Sequence, residues 1–181
     1  MDILPRWLTA EREQWRGCAE TFCKYTSAVF KAAFLGMFLC HALFLFYGYT
    51  SPDGTNEGLF YYWNQNWALS IGRWMMRYLS AAGCNVVMPA IFLAFNAACT
   101  ATAMLLLADL WHIESKPLLI LSTVSLVVAP SVIEQHLVIY MAYVYGFSLL
   151  MTVLASYLVL TKKGWPSFVV AVPVSYTHLT L

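Results

Sequence analysis

From Ala32 to Pro52 the chain carries no charged residue, and that run constrains its fold more than any other feature. A helix that crosses a bilayer needs about 20 predominantly apolar residues. Inside lipid each backbone N–H and C=O must be paired within its own segment, which leaves helices or closed barrels. Comparable apolar runs recur to the end of the sequence, separated by short polar breaks. The whole chain is 61% hydrophobic and 10% charged, with a mean hydropathy of +0.66. A soluble domain carries far more charge, so the expected class is all-α, a polytopic helical membrane protein. A net charge of +1 argues against nucleic acid as a partner, because phosphate binding needs a concentrated basic face.

Transmembrane helices are expected at residues 29–49, 86–108, 117–133 and 137–161, with a fifth beginning at 166–173. Orientation follows from the cations. With the N-terminus inside, the cytoplasmic side holds eight (Arg6, Arg12, Arg16, Lys24, Lys31, Lys116, Lys162 and Lys163) and the outer side two, Arg73 and Arg77. The positive-inside rule therefore places the N-terminus in the cytoplasm and residues 50–85 outside a bacterial inner membrane. Residues 1–28 read as an amphipathic helix on the cytoplasmic surface, with Trp15, Cys18, Phe22 and Tyr25 along one face and Thr9 as a cap before Glu11 and Glu13. A cleaved signal peptide does not fit, because the apolar run starts late and lacks a small-residue cleavage site.

Local signals support these helices. Ser115 before Pro117 is a sound start for the third, with proline at the first helical position. Ser131-Val-Ile-Glu134 is a capping box for the fourth. Ala94, Ala98 and Thr102 give the second a small-residue face for close packing. His41 and Asn96 are polar groups at membrane depth, best explained by interhelical hydrogen bonds. The five cysteines (Cys18, Cys23, Cys40, Cys84 and Cys99) show no CxxC or metal spacing, and no exported disulfide is expected. The final residues, Val174 to Leu181, resemble one reading frame of a transposon end used as a sequencing adapter. They are set aside from the fold, and the natural chain is expected to continue differently beyond Pro173.

The long polar island is Tyr49 to Leu79. Ser51-Pro-Asp-Gly54 is a turn, and Asn56 can cap a helix beginning near Glu57. Along that helix Trp63, Trp67, Ile71, Trp74 and Tyr78 form an aromatic stripe beside Asn66, Ser70, Arg73 and Arg77. Such a helix lies flat in the interface. Asp53 follows the expected end of the first span by four residues, which puts it at headgroup level, where a lipid-linked phosphate donor presents its reactive carbon. A carboxylate there can serve as general base toward an acceptor hydroxyl. Arg73 and Arg77, one turn apart, can grip a leaving phosphate, since guanidinium forks match phosphate oxygens.

The ordered set Pro52-Asp-Gly54, Glu57-Gly58-Leu59, Tyr62, Trp67-Ala68 and Gly72-Arg73-Trp74 resembles the type II O-antigen glucosyltransferase family. The likeness spans the first helix, the outer loop and, more loosely, the helices that follow. It implies a GT-C-like membrane fold, a polyprenyl-phosphate-linked sugar donor, usually glucose, and transfer on the outer face to a surface polysaccharide. In such enzymes an acid of the first outer loop is the catalytic base, and Asp53 occupies that position. Glu57, Arg73 and Trp74 carry over from the same set, while Arg77 rests on the physical argument alone. On this reading most of a family member lies beyond the chain, and the 181 residues by themselves are expected to be inactive.

Each residue also has a plainer account. Pro-Asp-Gly is a common turn whatever the function. Glu57 also suits the first turn of a helix through its dipole. Arg73 and Arg77 can anchor to anionic headgroups, and the aromatic stripe can be anchoring alone. His136, at the second outer turn beside Glu134, is a candidate for the acceptor side, whereas Glu134 already has a capping role. No cofactor is evident, no metal-ligand cluster is spelled out, and dependence on a divalent metal is left open. Two other classes stay in view: a transporter or lipid-carrier flippase, and a non-catalytic membrane subunit. A transporter places ionisable groups near the midplane, yet here the acids gather outside the spans.

Overall fold

The computed structural model describes residues 6–47, 89–129 and 142–161, with side chains described over 19–41, 90–129 and 145–161. All regular structure among the described residues is helical: α1 spans Arg6–Tyr47, α2 Pro89–Leu110, α3 Lys116–Val128 and α4 Ala142–Thr161. The all-α class expected from the sequence is thus met.

On α1 the buried residues Tyr25, Val29, Ala33, Met37 and His41 recur every four positions. This row is a ridge of the kind that fits a neighbouring helix groove. Tyr25, Val29 and Ala33 pack with Ala101, Met104, Leu105 and Ala108 of α2 and Leu119 of α3. Further along α1, Met37 packs with Leu93 and Ala97 of α2 and Val127 of α3. Rising numbers on α1 thus meet falling numbers on α2, so the pair is antiparallel, and α3 runs with α1. On another side of α2, Val153 and Tyr157 of α4 pack with Ala103 and Leu106, and Gly146 meets Asn96; α4 therefore runs with α2. Helix α2 is the shared element, touching each of the other three. The ends Tyr47 and Pro89 lie at one end of the bundle, joined through residues 48–88. The α2–α3 connection lies at the other.

Among the described residues two helical stretches, Ala19–His41 and Ala90–Leu110, are long and apolar enough to cross a membrane; α3 and Tyr145–Thr161 are apolar but shorter. Outward faces are apolar as well. Leu35, Leu39, Leu121 and Leu160 are each more than 60% exposed. Inside these apolar helices the hydroxyls bond to the backbone one turn back: Thr102 to the Ala98 carbonyl at 2.8 Å, Thr123 to Leu119 at 2.7 Å and Thr152 to Ser148 at 2.8 Å. A hydroxyl satisfied in this way adds no exposed polar group to the helix surface.

Three expectations are corrected. No break separates residues 6–28 from the expected first span, since α1 is a single helix of 42 residues from Arg6 to Tyr47. The face bearing Phe22 and Tyr25 is part of its packing ridge, with Phe22 against both main apolar clusters. The small-residue face of α2 is not Ala94, Ala98 and Thr102, since Ala94 is exposed and the other two are half-buried. Close packing instead uses Ala97, Ala101, Ala103 and Ala108, all buried, because α1, α3 and α4 cover those sides. Finally, α3 ends at Val128 rather than 133. Ala129 is extended (φ −56°, ψ 133°), the conformation that the following Pro130 favours over the helical one.

The start of α3 is as expected. Ser115 is its N-cap in an extended conformation and Pro117 sits in the first turn. The Ser115 carbonyl accepts the first helical bond, from the Leu119 N–H at 3.0 Å. Ser115 makes no side-chain cap bond, so its contribution is the carbonyl and the chain reversal. The capping box at Ser131–Glu134 lies outside the described residues.

Backbone approach sets the α2–α4 spacing. A Cβ at Gly146 would overlap the Asn96 carboxamide and come within 3.0 Å of the Asn96 Cα. Gly146→Ala must therefore push α4 away from α2 or displace buried Asn96, and we expect it to cost about 1–3 kcal/mol despite alanine's better helix propensity. The check is the thermal unfolding midpoint in detergent micelles. Gly36 makes a milder approach, its added Cβ lying 3.3 Å from Val127 Cγ1, and Gly36→Ala should cost less.

Candidate functional site

The polar chemistry of the described residues concentrates where α2 ends. Asp109 sits in the last turn of α2, where the helix dipole disfavours a carboxylate by roughly 0.3–1 kcal/mol. Two hydroxyls from other helices compensate. Thr21 of α1 donates to Asp109 Oδ1 at 3.2 Å, and Tyr157 of α4 donates to Asp109 Oδ2 at 2.7 Å. Hydrogen bonds to a charged acceptor are worth about 1.5–3 kcal/mol each, so the pair outweighs the dipole term. One carboxylate thereby joins three helices.

The turn that follows is built by a Schellman motif. Ile113 N–H donates to the Ala108 carbonyl at 2.8 Å and His112 N–H to the Asp109 carbonyl at 3.3 Å. His112 holds the left-handed position that this motif requires, with φ 52°. Ile113 packs back onto the cluster containing Ala108, the apolar contact that commonly accompanies the motif. From α1, the Tyr25 hydroxyl donates to the Glu114 carbonyl at 2.6 Å, fixing the turn against the bundle. Lys24 Nζ lies 4.9 Å from the centroid of the Tyr25 ring, a cation–π distance.

An L-residue at the left-handed position costs roughly 1–2 kcal/mol, and glycine escapes most of that. His112→Gly should therefore raise stability by about 1 kcal/mol. A lower unfolding midpoint in that variant would show that the imidazole makes contacts that outweigh the strain.

Around these groups lies a cleft of about 670 Å³ between α1, the end of α2 with its following turn, and the end of α4. Glu20, Lys24, Asp109, His112 and Glu114 all line it. Glu20, Lys24, His112 and Glu114 are exposed, while Asp109 is half-buried. The arrangement can bind a ligand of mixed charge, and it can hold three helices in register. Among the described residues no group of three His, Cys, Asp or Glu side chains is placed to hold a metal ion.

The site residues expected from the sequence, Asp53, Glu57, Arg73, Trp74, Arg77 and His136, all lie outside the described residues. His41 and Asn96 are described, and both are buried. Sequence reasoning did not single out Asp109. The available signal was an acid at the C-terminal end of an otherwise charge-free helix, a position that calls for a partner elsewhere in the fold. Comparison with known proteins adds no family to this picture: no protein-family model, no curated protein and no solved structure matches the chain.

Proposed function

We propose that the chain is part of a polytopic inner-membrane glycosyltransferase that moves a sugar, glucose in the simplest case, from a polyprenyl-phosphate donor to a cell-surface polysaccharide. The observation that carries this reading is the ordered set from Pro52 to Trp74, which falls between the described helices α1 and α2. The antiparallel pairing of α1 and α2 supports it, because residues 48–88 then join two helix ends on the same side of the bundle. The proposal takes the helices as four complete spans, GT-C-like, with the N-terminus cytoplasmic and residues 50–85 on the outer face.

In this mechanism the Asp53 carboxylate takes the proton of an acceptor hydroxyl, and the freed oxygen attacks the anomeric carbon. The bond from that carbon to the donor phosphate breaks, and the polyprenyl phosphate leaves with the electron pair. Arg73 and Arg77 neutralise the charge that grows on the leaving phosphate. Glu57 is a second catalytic acid beside Asp53, Trp74 binds substrate with the two arginines, and His136 belongs to the acceptor side.

The test is transfer by the intact protein. Membranes containing it are incubated with radiolabelled polyprenyl-phosphate glucose, and label is sought in the surface polysaccharide. Label that stays entirely in lipid, with membrane insertion intact, would overturn the assignment. A second reading, a transporter or lipid-carrier flippase, draws on buried His41 and Asn96, polar groups within apolar helices. In that case Asn96→Leu should abolish movement of a lipid-linked sugar across sealed vesicles, with no covalent transfer at any stage.

A further inference from the structure

We propose that the cleft at the Asp109 end of the bundle seats the headgroup of a phospholipid bearing a primary amine, that is, a phosphate–ammonium zwitterion. This rests on the membrane reading of the helices and not on the transferase reading, since the cleft lies at the end of the bundle opposite Tyr47 and Pro89.

Charge selects the ligand. Among the described residues, three carboxylates, Glu20, Asp109 and Glu114, share the cleft with one lysine, Lys24. A purely anionic ligand would meet all three acids, and a purely cationic one would leave Lys24 facing like charge. A zwitterion satisfies both signs, with its ammonium among the carboxylates and its phosphate at Lys24 Nζ. Each Asp109 oxygen already accepts one hydroxyl, and a carboxylate oxygen has a second lone pair to offer.

The amine class follows from the same geometry. An –NH₃⁺ group brings three N–H donors and needs acceptors, which the carboxylates provide. A quaternary ammonium needs an aromatic cage. Among the described residues Tyr25 is the one aromatic ring on the cleft lining, apart from His112, and Lys24 already stacks on it.

Two features favour a lipid over a free phosphoamine. Leu160 lines the cleft and is 66% exposed, and Trp111, beside His112 in the same turn, is 65% exposed. An exposed leucine supplies apolar surface for the start of an acyl chain, and tryptophan prefers the headgroup level of a bilayer. The volume of about 670 Å³ falls within the range of small-ligand pockets, roughly 300–1,000 Å³.

The experiment is native mass spectrometry of the detergent-purified protein with equal mole fractions of phosphatidylethanolamine, phosphatidylglycerol and phosphatidylcholine. Phosphatidylethanolamine should be retained about tenfold more than either competitor, roughly the worth of one charge-assisted hydrogen bond. Glu114→Gln and Lys24→Ala should each remove most of that preference. The bond from the Tyr25 hydroxyl goes to the Glu114 backbone carbonyl, so the Gln variant keeps it. A wild-type arm needs no variant: excess soluble phosphoethanolamine should fail to displace the lipid. Equal retention of the three lipids, or a preference that survives in the double variant, would overturn the assignment. Displacement by soluble phosphoethanolamine would overturn the lipid as its source. Release of the protein from membranes by alkaline carbonate would sink the membrane reading and this proposal with it. Loss of sugar transfer moves none of these readouts.

Discussion

Asp53→Asn in the intact protein is expected to lower sugar transfer by about 10²–10⁴-fold, the usual contribution of a positioned general base. Asparagine keeps the size of the side chain and suits the same Pro-Asp-Gly turn position, so membrane insertion and donor binding should survive. On the proposed mechanism the loss should fall on kcat, with little change in KM for the lipid-linked donor, because a general base acts on the acceptor proton in the transition state. Asp53→Glu discriminates further. It restores the carboxylate about one methylene out of place and should recover only part of the rate. Activity equal to wild type in Asp53→Asn would reduce Asp53 to a turn residue and return the resemblance to a coincidence of loop composition.

The helical class was legible because its cause is local. Apolar runs such as Ala32–Pro52 leave the backbone few alternatives, and Ser115 with Pro117 marks the start of α3 within one residue. What escaped depends on partners distant in sequence. Helix α2 is apolar on all sides, so its periodicity does not say whether Ala94 and Ala98 or Ala97 and Ala101 face a neighbour. The continuity of α1 had a trace that was missed: Phe22 and Tyr25 lie in phase with Val29, Ala33 and Met37, so the amphipathic and apolar parts share one ridge. Helix α2 ends at Leu110, two residues beyond the expected 108, because its Schellman turn uses His112 in place of the usual glycine. The Asp109 clasp joins Thr21 to a residue 88 positions away, and pattern reading along a chain has no access to such a pairing. The site expected at Asp53, Glu57, Arg73, Trp74, Arg77 and His136 lies outside the described residues.

The clasp carries the second large effect. Asp109→Ala removes the acceptor of two hydroxyls at once, one of them on Tyr157, a residue only 2% exposed. Each bond to a charged acceptor is nominally worth about 1.5–3 kcal/mol. Asp109 is half-buried, and the dipole penalty at the end of α2 is relieved in the variant, so the sum is discounted to about 3 kcal/mol. Asp109→Asn should cost less, about 1 kcal/mol, because its amide can accept from one hydroxyl and donate to the other's oxygen. The order Ala worse than Asn separates a hydrogen-bonding role from a purely electrostatic one, in which both variants lose the same charge and cost the same. Tyr157→Phe supplies the pairwise term. Combined with Asp109→Ala in a double-mutant cycle, it should show a coupling of about 1 kcal/mol or more, since the second change removes a hydroxyl whose acceptor is already gone. Unfolding midpoints in micelles measure all four corners, and strictly additive effects would mean that α1, α2 and α4 are held together by apolar packing alone.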